Sequence, residues 1–157
     1  MGILDKLFKS DPTVDWPAGG GKAPVLDLEG LGVGSIRLGD PFEKARAFGR
    51  PVRFAQRAEG EGKQFLEYDG FDLEFDGGAL VCVEVHLYDG GEVRVSGFTL
   101  TSATTQADLR AWLGEPTEES TREDIVWLSY ERNGASLDLE FEDEGLASVQ
   151  FYREGWA

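Results

Sequence analysis

Asp72-Leu73-Glu74-Phe75-Asp76 recurs later in the chain as Asp138-Leu139-Glu140-Phe141-Glu142, an offset of 66 residues (138 minus 72). Both stretches alternate acid and apolar residue, the period of a strand with one buried face. The correspondence continues on either side. Leu80 and Val83 answer Leu146 and Val149, Gly49-Arg50-Pro51 answers Gly114-Glu115-Pro116, and Tyr68 answers Tyr130. Matches in one order at nearly one offset read as a tandem duplication.

Turn chemistry sets the expected register. Asp69-Gly70 and Asn133-Gly134 are two-residue hairpin signals, because both central positions of such turns need positive φ. Counting outward from them pairs Tyr68 with Phe71 and Leu66 with Leu73, and in the second half Tyr130 with Leu137 and Leu128 with Leu139. Three-residue loops at Gly77-Gly78-Ala79 and Asp143-Glu144-Gly145 then pair Phe75 with Val81, Leu73 with Val83 and Leu139 with Val149. A further hairpin through Asp89-Gly90-Gly91 is expected to pair Val85 with Val95 and join the halves, with a bulge near Ser96-Gly97.

Each half also carries a helix signal. Asp40, Pro41 and Glu43 have the order of a capped start, Phe42, Ala45 and Phe48 form an apolar stripe, and Gly49 with Pro51 ends it. In the second half Thr105 and Asp108 open a helix, Leu109, Trp112 and Leu113 fill the stripe, and Gly114 with Pro116 closes it. The expected fold is therefore α+β: a tandem duplication of a helix plus antiparallel β-meander unit, with helices packed on one face of a largely continuous antiparallel sheet. Residues 24–90 form the first repeat and 91–157 the second. Residues 1–23 are an amphipathic segment, with Ile3, Leu4, Leu7 and Phe8 on one helical face, followed by a Pro/Gly linker.

Period two sends Phe65, Asp72, Glu74, Glu84 and His86 to the outer face of the first half, and Trp127, Asp138 and Glu140 to that of the second. Phe65 lies opposite Glu74 and Trp127 opposite Glu140, so both halves set an aromatic beside a carboxylate. A large outward aromatic calls for a cover, supplied by the N-terminal stretch with Trp16, by the other half, or by a partner.

Charge narrows the partners. The formal net charge is -15, unevenly spread: residues 1–58 carry nine Lys/Arg against seven Asp/Glu, and 59–157 six against twenty-three. Such a field disfavours nucleic acid and anionic lipid and favours a basic protein surface. The first residues lack the apolar core of a signal peptide, no run is long enough to span a membrane, and Cys82 is the one cysteine. A cytoplasmic location is the expectation, without disulfides.

Catalytic constellations are not legible. His86 is the one histidine, which excludes a multi-imidazole metal centre, and pairing it with Arg94 across the expected hairpin makes it a surface residue. Asp72 opposite Glu84 is a possible acid–base pair or cation site, but carboxylates on an open sheet lack the desolvation that separates pKa values. No cofactor, metal or catalytic residue is expected.

The stretch Ala107-Asp108-Leu109-Arg110-Ala111-Trp112-Leu113-Gly114-Glu115-Pro116, followed by antiparallel strands, resembles the helix-then-hairpin unit of the BamE/SmpA outer-membrane lipoproteins. Its tandem use resembles β-lactamase inhibitory proteins. The resemblance implies a non-enzymatic scaffold that binds protein through its sheet; the chain departs from it in having neither a signal peptide nor a lipid-accepting cysteine near its start.

The leading expectation is thus a non-enzymatic protein-binding module, of the inhibitor or immunity type, that presents Phe65, Asp72, Glu74, Glu84, Trp127, Asp138 and Glu140 to a basic partner. One alternative is an adaptor or assembly subunit docking through Ile3, Leu4, Leu7 and Phe8. Another is a small-ligand binder or enzyme with a pocket between the repeats.

Overall fold

The computed structural model describes residues 11–19, 21–57, 62–143 and 145–153. Ile3, Leu4, Leu7 and Phe8 lie outside the described residues. Strands dominate. They are β1 (Leu26–Asp27), β2 (Gly32–Val33), β3 (Ile36–Arg37), β4 (Arg53–Gln56), β5 (Lys63–Tyr68), β6 (Phe71–Asp76), β7 (Ala79–His86), β8 (Glu92–Val95), β9 (Phe98–Thr101), β10 (Glu118–Arg122), β11 (Ile125–Arg132), β12 (Ala135–Glu142) and β13 (Gly145–Arg153).

These strands form two sheets among the described residues, so the expected α+β architecture on one continuous sheet is corrected to a mostly-β one. The larger sheet has eight strands in the order β10-β11-β12-β13-β7-β6-β5-β4, and the smaller has five in the order β3-β2-β1-β8-β9. The smaller sheet mixes the two halves, since β1 pairs in parallel with β8. One apolar core joins the sheets: Leu26, Val33, Val93 and Val95 of the smaller pack in the same cluster as Leu66, Leu73, Leu139 and Val149 of the larger.

The expected helices also divide. Gln106–Leu113 is an α-helix, α1, opened by a capping box in which Asp108 N–H donates to Thr105 Oγ1 and Thr105 N–H donates to Asp108 Oδ2. Its stripe Leu109, Trp112 and Leu113 has the 3.6-residue spacing of an α-helix. Phe42–Phe48 is instead a 3₁₀ segment, with no side-chain cap. Phe42, Ala45 and Phe48 recur every third residue, which holds one face at 3.0 residues per turn. Pro41, not Asp40, occupies the cap position, and Asp40 Oδ2 accepts from Arg37 N–H instead. The segment's start is also tied to β6–β7: Phe42 N–H donates to Gly78 C=O, and Leu80 N–H to Asp40 C=O.

The register expected from the Asp-Gly and Asn-Gly turns holds at Tyr68↔Phe71, Leu66↔Leu73, Tyr130↔Leu137 and Leu128↔Leu139. Leu73↔Val83 and Leu139↔Val149 hold as well. Phe75, however, pairs with Leu80 and not Val81, and Asp76 with Ala79. Gly77 and Gly78, both at positive φ, make a two-residue turn, and Val81 is the extra residue of a bulge. A register shift stands at the corresponding place between Glu140 and Phe141.

The hairpin pairing Val85 with Val95 does not form. Val85 pairs with Phe71 and, across the centre of the sheet, with Val149, while Val95 pairs with Phe98 and Leu26. Ser96-Gly97 is accordingly a hairpin turn and not a bulge, with both residues at positive φ. The halves meet through antiparallel pairing of β7 with β13.

The stretch expected to be a bare linker is anchored. Thr13 is 1% and Trp16 5% exposed, the Trp16 ring lies 5.4 Å from that of Phe42, and Arg50 N–H donates to Pro17 C=O. Phe42 packs in turn on Phe75, an inner-face residue. Trp16 therefore closes the core side and does not cover the outer aromatics.

Candidate binding face

The strands of the larger sheet alternate, so each inward apolar residue is followed by an outward polar one. The pattern in β6 is Phe71, Leu73 and Phe75 buried with Asp72, Glu74 and Asp76 half-buried; β12 repeats it with Leu137, Leu139 and Phe141 against Asp138 and Glu140. Pairing then lines the outward residues into rows. The central row runs Glu67↔Asp72↔Glu84↔Gln150↔Asp138↔Ser129. On one side of it lie Phe65↔Glu74↔Cys82↔Tyr152, and on the other His86↔Ser148↔Glu140↔Trp127.

All seven outer-face residues named from the sequence, Phe65, Asp72, Glu74, Glu84, Trp127, Asp138 and Glu140, share this face and are half-buried. Trp127 Nε1–H donates to Glu140 Oε1 at 3.0 Å, and Ser148 Oγ–H donates to Glu140 Oε2 at 3.4 Å. Glu140 is thereby held against the indole. Phe65 stands opposite Glu74 at the corresponding place. Burial raises the Glu74 carboxyl above the ordinary carboxylate range; Lys63 and Arg57 pull it back, and Asp76 and Glu84 add to the rise.

Electrostatic compensation on this face is sparse. Among the described residues, Arg53 pairs with Glu67 at 3.9 Å, but no Lys or Arg is ion-paired to Asp72, Glu74, Glu84, Asp138 or Glu140. His86 is not the cross-strand partner of Arg94, as the expected hairpin would have required; Arg94 pairs with Thr99 and His86 with Ser148. Its Nε2–H donates to Asp72 Oδ2 at 3.0 Å, and its Nδ1 lies 4.0 Å from Glu84 Oε1. In the second half the corresponding bond is Tyr152 O–H to Asp138 Oδ2 at 2.8 Å. The other Asp138 oxygen, Oδ1, is buried without a hydrogen-bond partner. Tyr152 is raised to about 12 by burial and by its bond to Asp138.

Cys82 sits in this face at 4% exposure. Burial, then Glu74 and Glu84, push its thiol far up, the direction that disfavours the reactive thiolate. A shallow hollow of about 110 Å³ lies beside it, lined by Phe65, Glu74, Glu84 and Gln150 among others.

A larger cavity lies elsewhere. It measures about 490 Å³ between β9 and α1, lined by Phe98, Thr99, Leu100, Asp108, Leu109 and Trp112 among others. Phe98 is 46% exposed and its ring lies 4.1 Å from that of Trp112. Both elements belong to the second half; a hollow of about 360 Å³ lined by Asp69, Val85 and His86 of the first repeat and Glu92, Val93 and Arg94 of the second lies between the repeats.

Among the described residues no helix is long and apolar enough to cross a membrane. No family model matches the chain, and no curated protein matches it. A crystal structure of a DUF4309 family protein from Bacillus subtilis is similar at 15% identity and a TM-score of 0.46, covering 71% of this chain and 76% of that one. A cysteine-rich secretory protein from Staphylococcus aureus is similar at 14% identity and a TM-score of 0.34, covering 87% of this chain and 52% of that one. Neither likeness bears on what this chain binds or does.

Proposed function

We propose that the chain is a non-enzymatic protein-binding module whose outer sheet face takes a basic segment of a partner protein. The observation that carries this reading is the arrangement of the two aromatic–carboxylate pairs, Phe65 with Glu74 and Trp127 with Glu140, on either side of the row Asp72, Glu84, Gln150 and Asp138. Aromatic rings supply contact area, and the carboxylates supply steering and pairing for Arg or Lys. A rigid sheet holds both in place before the partner arrives, which lowers the ordering cost of association. Binding acts by occlusion: the partner's basic surface is covered, and no bond is made or broken.

The probe is a fluorescent arginine-rich peptide, with association followed by stopped flow across ionic strength. Replacing Glu74 and Glu140 together by Gln slows association and flattens its salt dependence, since steering is screened over a Debye length of about 8 Å at physiological salt. The control replaces two exposed acids away from this face, Glu43 and Glu123, by Gln. Equal slowing by both pairs means the peptide responds to net charge alone and overturns the reading.

A further inference from the structure

Asp72, Glu84 and His86 converge in a way their separate strand positions do not announce. Asp72 and Glu84 are direct cross-strand partners on β6 and β7, and His86 follows Glu84 by one pleat repeat on the same face. One donor atom from each lies within 4.8 Å of the other two. Two carboxylates opposite each other repel. No Lys or Arg is ion-paired to either among the described residues.

The imidazole is oriented. In the tautomer with the proton on Nε2, the 3.0 Å contact is a hydrogen bond that His86 donates to Asp72 Oδ2. Nδ1, then unprotonated, lies 4.0 Å from Glu84 Oε1, too far for a hydrogen bond. Two electron-pair donors facing each other across such a gap leave room for a cation at roughly 2.0–2.2 Å from each ligand atom after small side-chain adjustment. A carboxylate that takes the other ring N–H is the usual means of fixing a metal-binding histidine. The side chains of Asp72, Glu84 and His86 are 35%, 35% and 36% exposed, so an ion has access, and water can complete its coordination.

The second half supplies an internal contrast. Glu84 and His86 correspond to Gln150 and Tyr152 there, and Tyr152 donates to Asp138 Oδ2 as His86 does to Asp72. The backbone frame and the hydrogen bond are kept, while the second carboxylate and the imidazole are absent.

We infer that Glu84 and His86, the latter oriented by Asp72, hold a first-row divalent cation of the Zn²⁺ or Mn²⁺ class, which takes mixed imidazole and carboxylate donors. The site is independent of whether a basic protein binds the same face, and its test contains no partner. Titration of the full chain with Zn²⁺ by calorimetry gives one ion per chain. With Mn²⁺, electron spin-echo modulation shows coupling to an imidazole nitrogen, which can come only from His86, the single histidine. His86→Gln abolishes that coupling, and His86→Gln or Asp72→Asn weakens Zn²⁺ binding at least about tenfold. Asp138→Asn, at the corresponding place in the other half, leaves it unchanged. Folding of each variant is checked by its circular dichroism and melting curve. No binding up to about 1 mM Zn²⁺, Mn²⁺ without nitrogen coupling, or equal weakening by Asp72→Asn and Asp138→Asn overturns the site, the last by showing diffuse attraction to the acidic face.

Discussion

Glu84 and Gln150 face each other across β7 and β13, and they are also the same position in the two halves of the chain. Their neighbours obey the same rule: Val83 pairs with Phe151 and Val85 with Val149, each residue meeting the counterpart of the other. The larger sheet is therefore arranged about a local two-fold axis through the Glu84–Gln150 pair. Tyr68 O–H donates to Gly49 C=O at 2.8 Å and Tyr130 O–H to Gly114 C=O at 3.0 Å, so the tie from meander to helical segment is repeated as well. The axis brings the two aromatic–carboxylate pairs onto one face.

Trp127 is an outward residue, and its removal should weaken binding more than folding. Trp127→Ala loses one hydrogen bond to Glu140 and part of an exposed ring, about 1 kcal/mol of stability. Leu139→Ala removes a fully buried side chain and costs about 2–5 kcal/mol. Urea unfolding of both variants, with arginine-peptide affinity measured alongside, checks the difference. A stability loss for Trp127→Ala equal to that for Leu139→Ala would place the indole in the core.

Trp16 closes the core beside Phe42, so the stretch before β1 cannot be cut away without cost. Trp16→Ala should destabilise by about 3–5 kcal/mol, and a chain starting at residue 20 should melt markedly earlier than one starting at residue 11. An unchanged melting temperature in the shorter chain would show that the Trp16–Phe42 contact contributes nothing to folding.

Glu74 should cost the fold stability at neutral pH. Its folded-state pKa lies above the ordinary value, chiefly because burial penalises the charged form. Its contribution to stability is thus present at low pH and lost as pH rises through the carboxylate range. Glu74→Gln should raise the melting temperature at neutral pH while slowing association with the arginine peptide. Calorimetry of the variant at neutral pH, compared with pH below the carboxylate range where the gain should vanish, tests the sign.

Alkaline unfolding should follow the tyrosines. Tyr68, Tyr130 and Tyr152 are all raised by burial from the ordinary 10.0, Tyr152 to about 12. The folded chain holds these protons more tightly than the unfolded chain, so the stability they contribute is complete below pH 10 and falls as pH climbs toward 12. Absorbance of tyrosinate near 295 nm, recorded beside far-ultraviolet circular dichroism, should show most of the ionisation coinciding with unfolding. Tyr152→Phe should lessen the pH dependence in that window.

Local chemistry is legible in the sequence. Alternation of acid and apolar residues along Asp72–Asp76 and Asp138–Glu142 assigns each side chain to a face, because the pleat has period two. Asp-Gly and Asn-Gly turns set register, because few residues adopt positive φ cheaply. The capping box at Thr105 and Asp108 marks α1 for the same reason: its hydrogen bonds close within four residues.

What escaped the sequence depends on contacts between distant segments. Two-residue strands such as Leu26–Asp27 and Gly32–Val33 are too short to show a period, and they exist because β8 and the core hold them. The 3₁₀ turn at Phe42–Phe48 keeps Phe42, Ala45 and Phe48 on one face, and its start is fixed by backbone bonds to the distant Gly78 and Leu80. Pairing of β7 with β13 has no connecting turn to signal it, and so neither the meeting of the halves at Glu84 and Gln150 nor His86 turning from Arg94 to Asp72 could be read beforehand. Side-chain direction is a property of one strand, whereas the identity of its neighbour is decided by the burial that the whole chain achieves together.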